Sequence, residues 1–197
     1  MAEKSEYPSN WPIEWNQFKM GNQESFRKIY DFFFDRLYWY GSKISPDSEL
    51  VEDCIQELFL KLYTNRENLS ETDQLEFYLL KSLKLTIYQK LRYQNRLEEL
   101  SQPLDSFNLE LVVETDESEG CDTERIRMVK ESILSLSPAA QEILYLKFYS
   151  NLGYKEIGKM MGVQPDSVKK QVYRTIGRLK EILAEKYLEF FIMCFRA

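Results

Sequence analysis

A glycine-containing break at residues 162–164 constrains the fold of this chain more than any other sequence feature. One helical pattern ends at Met161 and another opens at Pro165. Gly162 favours the left-handed backbone that ends a helix, and Pro165 suits a first helical position because its φ is already helical and its missing N–H needs no partner there. The sequence therefore predicts a helix-turn-helix over residues 154–186.

The second helix of this motif has one apolar and one basic face. Its predicted buried seam is Val168, Val172, Leu179 and Leu183, and its other faces carry Lys169, Lys170, Tyr173, Arg174 and Arg178. A DNA-recognition helix needs this division, because one face anchors it while the other offers cations to phosphates and donors to base edges. A solvated basic face on an ordinary helical bundle gives the same periodicity. With the Gly-turn-Pro spacing added, the pattern favours DNA binding.

The remaining apolar residues also recur at helical spacing, which predicts an all-α fold. The 197 residues include only seven Gly and six Pro, and 44% are hydrophobic, enough to form a core for one large or two small domains. The net charge of −6 is unevenly distributed. Residues 101–124 hold eight acids and no Lys or Arg, whereas residues 125–197 hold 13 Lys or Arg and 7 Asp or Glu, a net charge of +6. The acidic run predicts a flexible linker between two domains.

Three helical stretches are expected before this linker. The first opens with Asn22 as its N-cap and ends near Gly41. The second, ELVEDCIQELFLKLYTN, has an outward acidic and amide-bearing face, which is either solvated surface or a docking face for a basic partner. The third, from about residue 73 to 100, interleaves cations with tyrosines, a mixture that suits unpaired bases but also occurs in ordinary helix packing.

The residue inventory argues against catalysis and bound cofactors. There is no His, and the three cysteines are far apart with no CxxC pair, so no catalytic residue, metal site or cofactor is expected. The cysteine usage fits a reducing cytoplasm. No apolar run reaches the ~18–20 residues of a membrane span, and no signal core opens the chain, so we expect a cytoplasmic protein with no membrane insertion.

Three stretches of the chain carry a family resemblance when they are read in order. They are FKMGNQESFRKIYDFFFDRLYWYGSKI, VEDCIQELFLKLY and LSPAAQEILYLKFYSNLGYKEIGKMMGVQPDSVKKQVYRTIGRLKEIL. They resemble the opening helices, the polymerase-docking stretch and the promoter-reading C-terminal domain of bacterial RNA polymerase sigma factors, in the extracytoplasmic-function group of the sigma-70 family. The E-D-x-x-Q-E-x-F core of the second stretch is the most specific motif, and the resemblance spans roughly residues 14–183.

The resemblance implies a two-domain transcription initiation factor. Residues 14–100 form a sigma region 2-like helical domain, residues 101–124 the flexible acidic linker, and residues 125–197 a sigma region 4-like helix-turn-helix domain. The implied activity is binding to core RNA polymerase and direction of promoter-specific transcription initiation, without catalysis by this chain. The implied partners are core RNA polymerase and promoter DNA, with an anti-sigma factor as a candidate third partner.

Site residues are carried over position by position from the same resemblance. The implied polymerase-binding residues are Asp53, Gln56, Glu57 and Phe59. The implied DNA-binding residues are Lys84, Tyr88, Arg92 and Arg96 in the first domain, and Ser167, Lys169, Lys170, Tyr173 and Arg174 on the recognition helix. The chain departs from the family pattern at two sites. In the third helix, Lys84-Leu85 and then Gln89 stand where the family usually has an Arg-Asn pair followed four residues later by Asp. Gln141 stands where an Arg is common, which predicts a missing internal ion pair.

Two other functions are compatible with parts of the pattern. One is a stand-alone helix-turn-helix transcription regulator that binds duplex DNA as a dimer, which would bind a palindromic site tightly without polymerase. The other is a helical adaptor that binds only proteins, in which case deletion of residues 125–197 would leave function intact.

Overall fold

The chain folds into two compact helical units, residues 1–106 and 107–197. The structure is a computed structural model that describes residues 10–97, 107–109 and 120–182. Every regular element within these ranges is a helix, which confirms the predicted all-α class. No helix in the described ranges combines the length and apolar character needed to cross a bilayer.

In residues 10–97 the first domain has four α-helices. They are α1 (Trp11–Lys19), α2 (Gln23–Ile44), α3 (Ser48–Thr64) and α4 (Leu75–Leu97), with a 3-10 turn at Arg66–Asn68 between the last two. The Asn22 side chain accepts a hydrogen bond of 3.1 Å from the Ser25 N–H, which confirms the expected N-cap. Asp47 caps α3 in the same way, accepting from the Leu50 N–H at 3.0 Å.

The core of this domain lies where α2, α3 and α4 pack against one another. Phe33 and Leu37 of α2, Val51 of α3, and Leu83 and Ile87 of α4 are each 1% exposed or less. Burial of each such side chain stabilises the fold by about 1.5–3 kcal/mol relative to exposure. Apolar residues at helical spacing therefore form the core of this domain.

Gly41 does not end α2, contrary to the expectation from the sequence. The helix continues through Gly41 to Ile44. A Cβ at Gly41 would lie 2.6 Å from Val51 Cγ1 and 3.3 Å from Ile87 Cδ1. The glycine is therefore needed because α3 and α4 approach the α2 backbone closely at this point.

The second domain contains the helix-turn-helix. Its helices are α5 (Gly120–Leu134), α6 (Pro138–Leu144), α7 (Tyr154–Met161) and α8 (Pro165–Ile182), and α6 continues into a π-helical turn at Tyr145–Tyr149. Ser137 caps α6 by accepting from the Ala140 N–H at 3.3 Å. Gly162 has φ +68°, and α8 opens at Pro165, as predicted.

Part of the expected linker is ordered against the second domain. Phe107 and Leu109 are 3% and 2% exposed, and α5 already begins at Gly120. The rest of that segment, residues 101–106 and 110–119, lies outside the described residues. The second domain thus includes residues 107–109 and 120–124, which composition alone assigned to the linker.

Candidate nucleic-acid and protein interfaces

Helix α8 is divided into the two faces that its sequence predicts. Val168 and Leu179 are fully buried and Val172 is 5% exposed, whereas Leu183 lies outside the described residues. The predicted DNA-binding positions of this helix are all exposed, namely Ser167, Lys169, Lys170, Tyr173 and Arg174. Arg178, two turns from Lys170, is exposed as well. The helix therefore presents a continuous cationic face beside a buried anchoring seam.

Gly158 of α7 allows the turn that precedes α8 to pack closely against α7. The sequence pattern did not predict this role. The Val163 N–H donates to the Gly158 carbonyl at 3.0 Å, and a Cβ at Gly158 would lie only 2.7 Å from the Val163 carbonyl oxygen. A side chain here would push the turn away from α7 and tilt α8 with it. The available signal was a glycine inside a helical pattern four residues before the turn glycine, which indicates close backbone approach.

The outward face of α4 combines cations with aromatic rings. Lys84 Nζ lies 5.6 Å from the centroid of the Tyr88 ring, and Lys81 Nζ lies 5.8 Å from that of Phe77. Arg92 is exposed further along the helix, whereas the side chain of Arg96 lies outside the described part of the chain. The structure thus places three of the four predicted DNA-binding residues of this domain on or beside one surface of α4.

Leu85, which follows Lys84 on this helix, is 53% exposed. It stands where the family has the Asn of its Arg-Asn pair. An aliphatic side chain offers no hydrogen bond to a base edge, so any contact it makes with nucleic acid is apolar.

Three of the four predicted protein-docking residues are accessible on α3. Asp53 and Gln56 are exposed and Glu57 is partly exposed. Glu57 bridges two cations, with Lys61 Nζ at 2.6 Å from one carboxylate oxygen and Lys90 Nζ at 3.5 Å from the other. Lys90 also lies 3.9 Å from Asp53. The hydrogen bond from Lys61 is the main cause that lowers the pKa of Glu57, so this carboxyl group stays ionised at neutral pH.

Phe59 does not share this exposed face. It is 3% exposed, and its ring packs 4.7 Å from the Tyr30 ring and 6.1 Å from the Phe26 ring, measured between centroids. A partner that approaches the outer face of α3 therefore does not reach Phe59 in this conformation. Its place in the structure is that of a core residue, which supports the neighbouring aromatic rings of α2.

Both domains match described families. Residues 29–97 match the family described as sigma-70 region 2, and residues 126–179 match the family described as sigma-70, region 4. Together these matches span more than half of the chain. Each match lies within one of the two compact units, the first from within α2 to the end of α4 and the second from within α5 to within α8.

Curated relatives extend the similarity over most of the chain. RNA polymerase sigma factor SigZ of Bacillus subtilis is 26% identical over 155 residues, which cover 79% of this chain and 85% of SigZ. The ECF RNA polymerase sigma factor SigW of the same species is 22% identical, covering 86% of this chain and 94% of SigW. RNA polymerase sigma factor CarQ of Myxococcus xanthus is 21% identical, covering 88% and 97%.

A solved structure shares the fold. The sigma factor RpoE of Bartonella quintana, crystallised in complex with the anti-sigma factor NepR, aligns with a TM-score of 0.57 at 17% sequence identity. The alignment covers 82% of this chain and 98% of that one.

Proposed function

This chain belongs to the sigma-70 family of bacterial RNA polymerase sigma factors, in the extracytoplasmic-function group, and we propose that it binds core RNA polymerase and directs promoter-specific transcription initiation. The observation that carries the proposal is the presence of region 2 and region 4 in one chain, in this order. A stand-alone helix-turn-helix regulator needs only the second of these. We propose that this chain acts through binding rather than catalysis, and that it does so in the cytoplasm, where bacterial transcription takes place.

Polymerase docking is proposed for the outer face of α3. The accessible carboxylates of Asp53 and Glu57, with the Gln56 amide beside them, suit a partner surface that carries cations and hydrogen-bond donors. Lys90 pairs with both carboxylates in the free chain, so docking exchanges this pairing for contacts with the partner. Phe59 contributes indirectly, because it supports α3 against α2 from within the core.

Promoter binding is proposed for one helix of each domain. In the first domain, Lys84, Tyr88, Arg92 and Arg96 of α4 hold the opened strand, since cations contact its phosphates and rings stack on unpaired bases. Opening costs a few kcal/mol per base step, which captured bases partly offset. In the second domain, α8 enters the major groove with its exposed face. The residues proposed to contact DNA there are Ser167, Lys169, Lys170, Tyr173 and Arg174.

An inhibitor protein is a candidate third partner. The structural neighbour RpoE was solved with an anti-sigma factor, and an antagonist of that class is proposed for this chain by analogy.

Transcription in vitro tests the proposed function directly. Core polymerase, the purified chain and genomic fragments are expected to yield transcripts that start at defined positions and are absent without the chain. If the chain neither bound core polymerase nor changed its start sites, the proposal would be wrong. Tight binding to a palindromic duplex in the absence of polymerase would instead support the dimeric regulator.

The docking face is tested with Asp53→Asn/Glu57→Gln. This variant removes two negative charges from exposed positions, so we expect at least about tenfold weaker binding to core polymerase and little change in stability. Asp31→Asn/Asp35→Asn, at exposed positions on α2, removes the same charge elsewhere in the domain and serves as the matched control. Equal loss of affinity in both variants would assign the effect to net charge rather than to this face.

The recognition face is tested with Lys170→Ala/Arg174→Ala. Loss of two phosphate or base contacts is expected to lower promoter output and to reduce the salt dependence of promoter binding by about two units of log–log slope. Binding to core polymerase should be unchanged. The control Arg127→Ala/Lys130→Ala removes equal charge from α5. Normal promoter output from the α8 variant would remove these two residues from the interface.

A further inference from the structure

Gln141 joins the segment 107–109 to the helical core of the second domain. Its Oε1 accepts a hydrogen bond of 2.7 Å from the Leu109 backbone N–H, and its Nε2 donates to the Leu136 carbonyl at 3.0 Å. Gln141 is 5% exposed, so both bonds are shielded from water. The arginine common at this position in the family has five donors and no acceptor, and therefore could not accept from the Leu109 N–H. Gln141 instead binds two backbone groups.

The two apolar side chains of the segment are buried on either side of an exposed residue. Phe107 and Leu109 are 3% and 2% exposed, whereas Asn108 between them faces solvent. The Phe107 ring meets the Tyr145 ring edge-on, with 5.8 Å between centroids. This alternation is typical of an extended peptide that uses every second side chain as an anchor.

We propose that the second domain carries a binding site for an apolar Phe-x-Leu segment, and that residues 107–109 of the same chain occupy it as a strap. Three features define the site. They are the Tyr145 ring for the aromatic side chain, a buried environment for the leucine side chain, and the Gln141 side-chain carbonyl for the backbone N–H of the leucine. The strap lies outside the residues that match region 4, which begin at 126.

Occupation of the site shortens the connection between the two domains. With the strap bound, nine residues separate Leu97, the end of α4, from Phe107, and a fully extended chain of that length spans about 35 Å. With the strap released, 22 residues separate Leu97 from Gly120, and the limit rises to about 80 Å. If the proposed function holds, the strap limits how far apart the two DNA-contacting helices can be placed while it stays bound.

A labelled peptide tests the site in the full-length chain. The probe is fluorescein-labelled PLDSFNLELVV, residues 103–113, and binding is followed by fluorescence anisotropy. Full-length F107A/L109A, whose own strap is weakened, is expected to bind the peptide at least about tenfold more tightly than the wild type, because a tethered competitor acts at an effective concentration near millimolar. A peptide with both anchors replaced by alanine should bind neither chain. Equal affinity for the two proteins, or no binding to the variant, would overturn the proposal.

The distance between domains gives a second readout that does not depend on folding of the variant. Energy-transfer labels are attached at positions 20 and 181 of a chain in which Cys121 and Cys194 are replaced by serine. The transfer efficiency then reports the separation of the two units. Excess unlabelled peptide should displace the strap of the otherwise wild-type chain and lower the transfer efficiency. The F107A/L109A variant should show the same lower efficiency without peptide. The exposed-position control N108A should behave as wild type. An unchanged efficiency with saturating peptide would refute the strap. Neither experiment uses polymerase or DNA, so its failure is distinct from failure of the proposed function.

Discussion

Replacement of Phe59 by alanine distinguishes a buried supporting ring from a ring that contacts polymerase. The motif around it resembles a docking stretch, yet the structure leaves Phe59 only 3% exposed beneath Tyr30 and Phe26. A supporting ring affects binding through the stability of α3 and α2. A contacting ring affects binding with little change in stability.

The expected loss of stability follows from this burial. Truncation of a buried Phe to Ala generally costs about 3–5 kcal/mol, because transfer free energy is lost and a cavity remains. The rings above Phe59 are half-buried and can partly fill the space, so we expect about 3 kcal/mol, near the lower limit. With a urea dependence of about 1.5 kcal/mol/M, the unfolding midpoint of the first domain should fall by about 2 M.

Tryptophan fluorescence during urea denaturation measures this loss selectively. All three tryptophans, Trp11, Trp15 and Trp39, belong to the first domain, so the signal reports that domain alone. The matched control is Gln56→Ala, an exposed change nearby on the same helix, expected to shift stability by less than about 0.5 kcal/mol while still weakening polymerase binding. A loss below about 1 kcal/mol for Phe59→Ala, together with greatly weakened polymerase binding, would refute the buried-support reasoning.

Two further predictions concern glycine and cysteine positions. Gly41→Ala should destabilise the first domain by about 1–2 kcal/mol because its Cβ would meet the stiff Val51 side chain, whereas Gly177→Ala, with open space around it, should stabilise α8 by up to about 1 kcal/mol. Urea denaturation will check that the two substitutions change stability in opposite directions. Tryptophan fluorescence follows the unfolding of Gly41→Ala, and circular dichroism follows that of Gly177→Ala. Burial raises the pKa of the Cys54 thiol to about 11, so the folded state holds this proton more tightly than the unfolded chain. The contribution of the protonated Cys54 thiol to the free energy of unfolding should therefore be complete below pH 9 and be lost between pH 9 and 11. Cys54 of a C121S/C194S chain should react with iodoacetamide at pH 8 only as fast as the domain opens. Equal stability of the wild type and Cys54→Ser across that pH range, after correction for the offset at pH 7, would contradict this.

Helical periodicity was sufficient to assign the faces of α8. The spacing of Val168, Val172 and Leu179 selects one stripe, and the cations on the remaining faces are then exposed whatever the stripe packs against. Capping chemistry is equally local, which is why Asn22 could be predicted as an N-cap without knowledge of the fold around it.

The family resemblance grouped residues from two faces of one helix. The core motif of α3 contains both the exposed Asp53 and Gln56 and the buried Phe59, and helical spacing places Phe59 with the apolar residues of α3, as the structure confirms. Gly41, in contrast, was misassigned. A glycine suits both a helix end and a close helix crossing, and the choice depends on the position of Val51 in three dimensions.

The sequence by itself determined the all-helical class, the helix-turn-helix, the family and the polarity of each helix, because these depend on residue types at fixed local spacings. Tertiary structure alone decided the packing of Phe59 against Tyr30 and Phe26, the tight crossing at Gly41 and the docking of residues 107–109 on Gln141. Each of these depends on a contact between segments distant along the chain. In the strap that separation is 32 residues, between a backbone N–H and a side-chain oxygen, and no periodic signal in the intervening sequence records it.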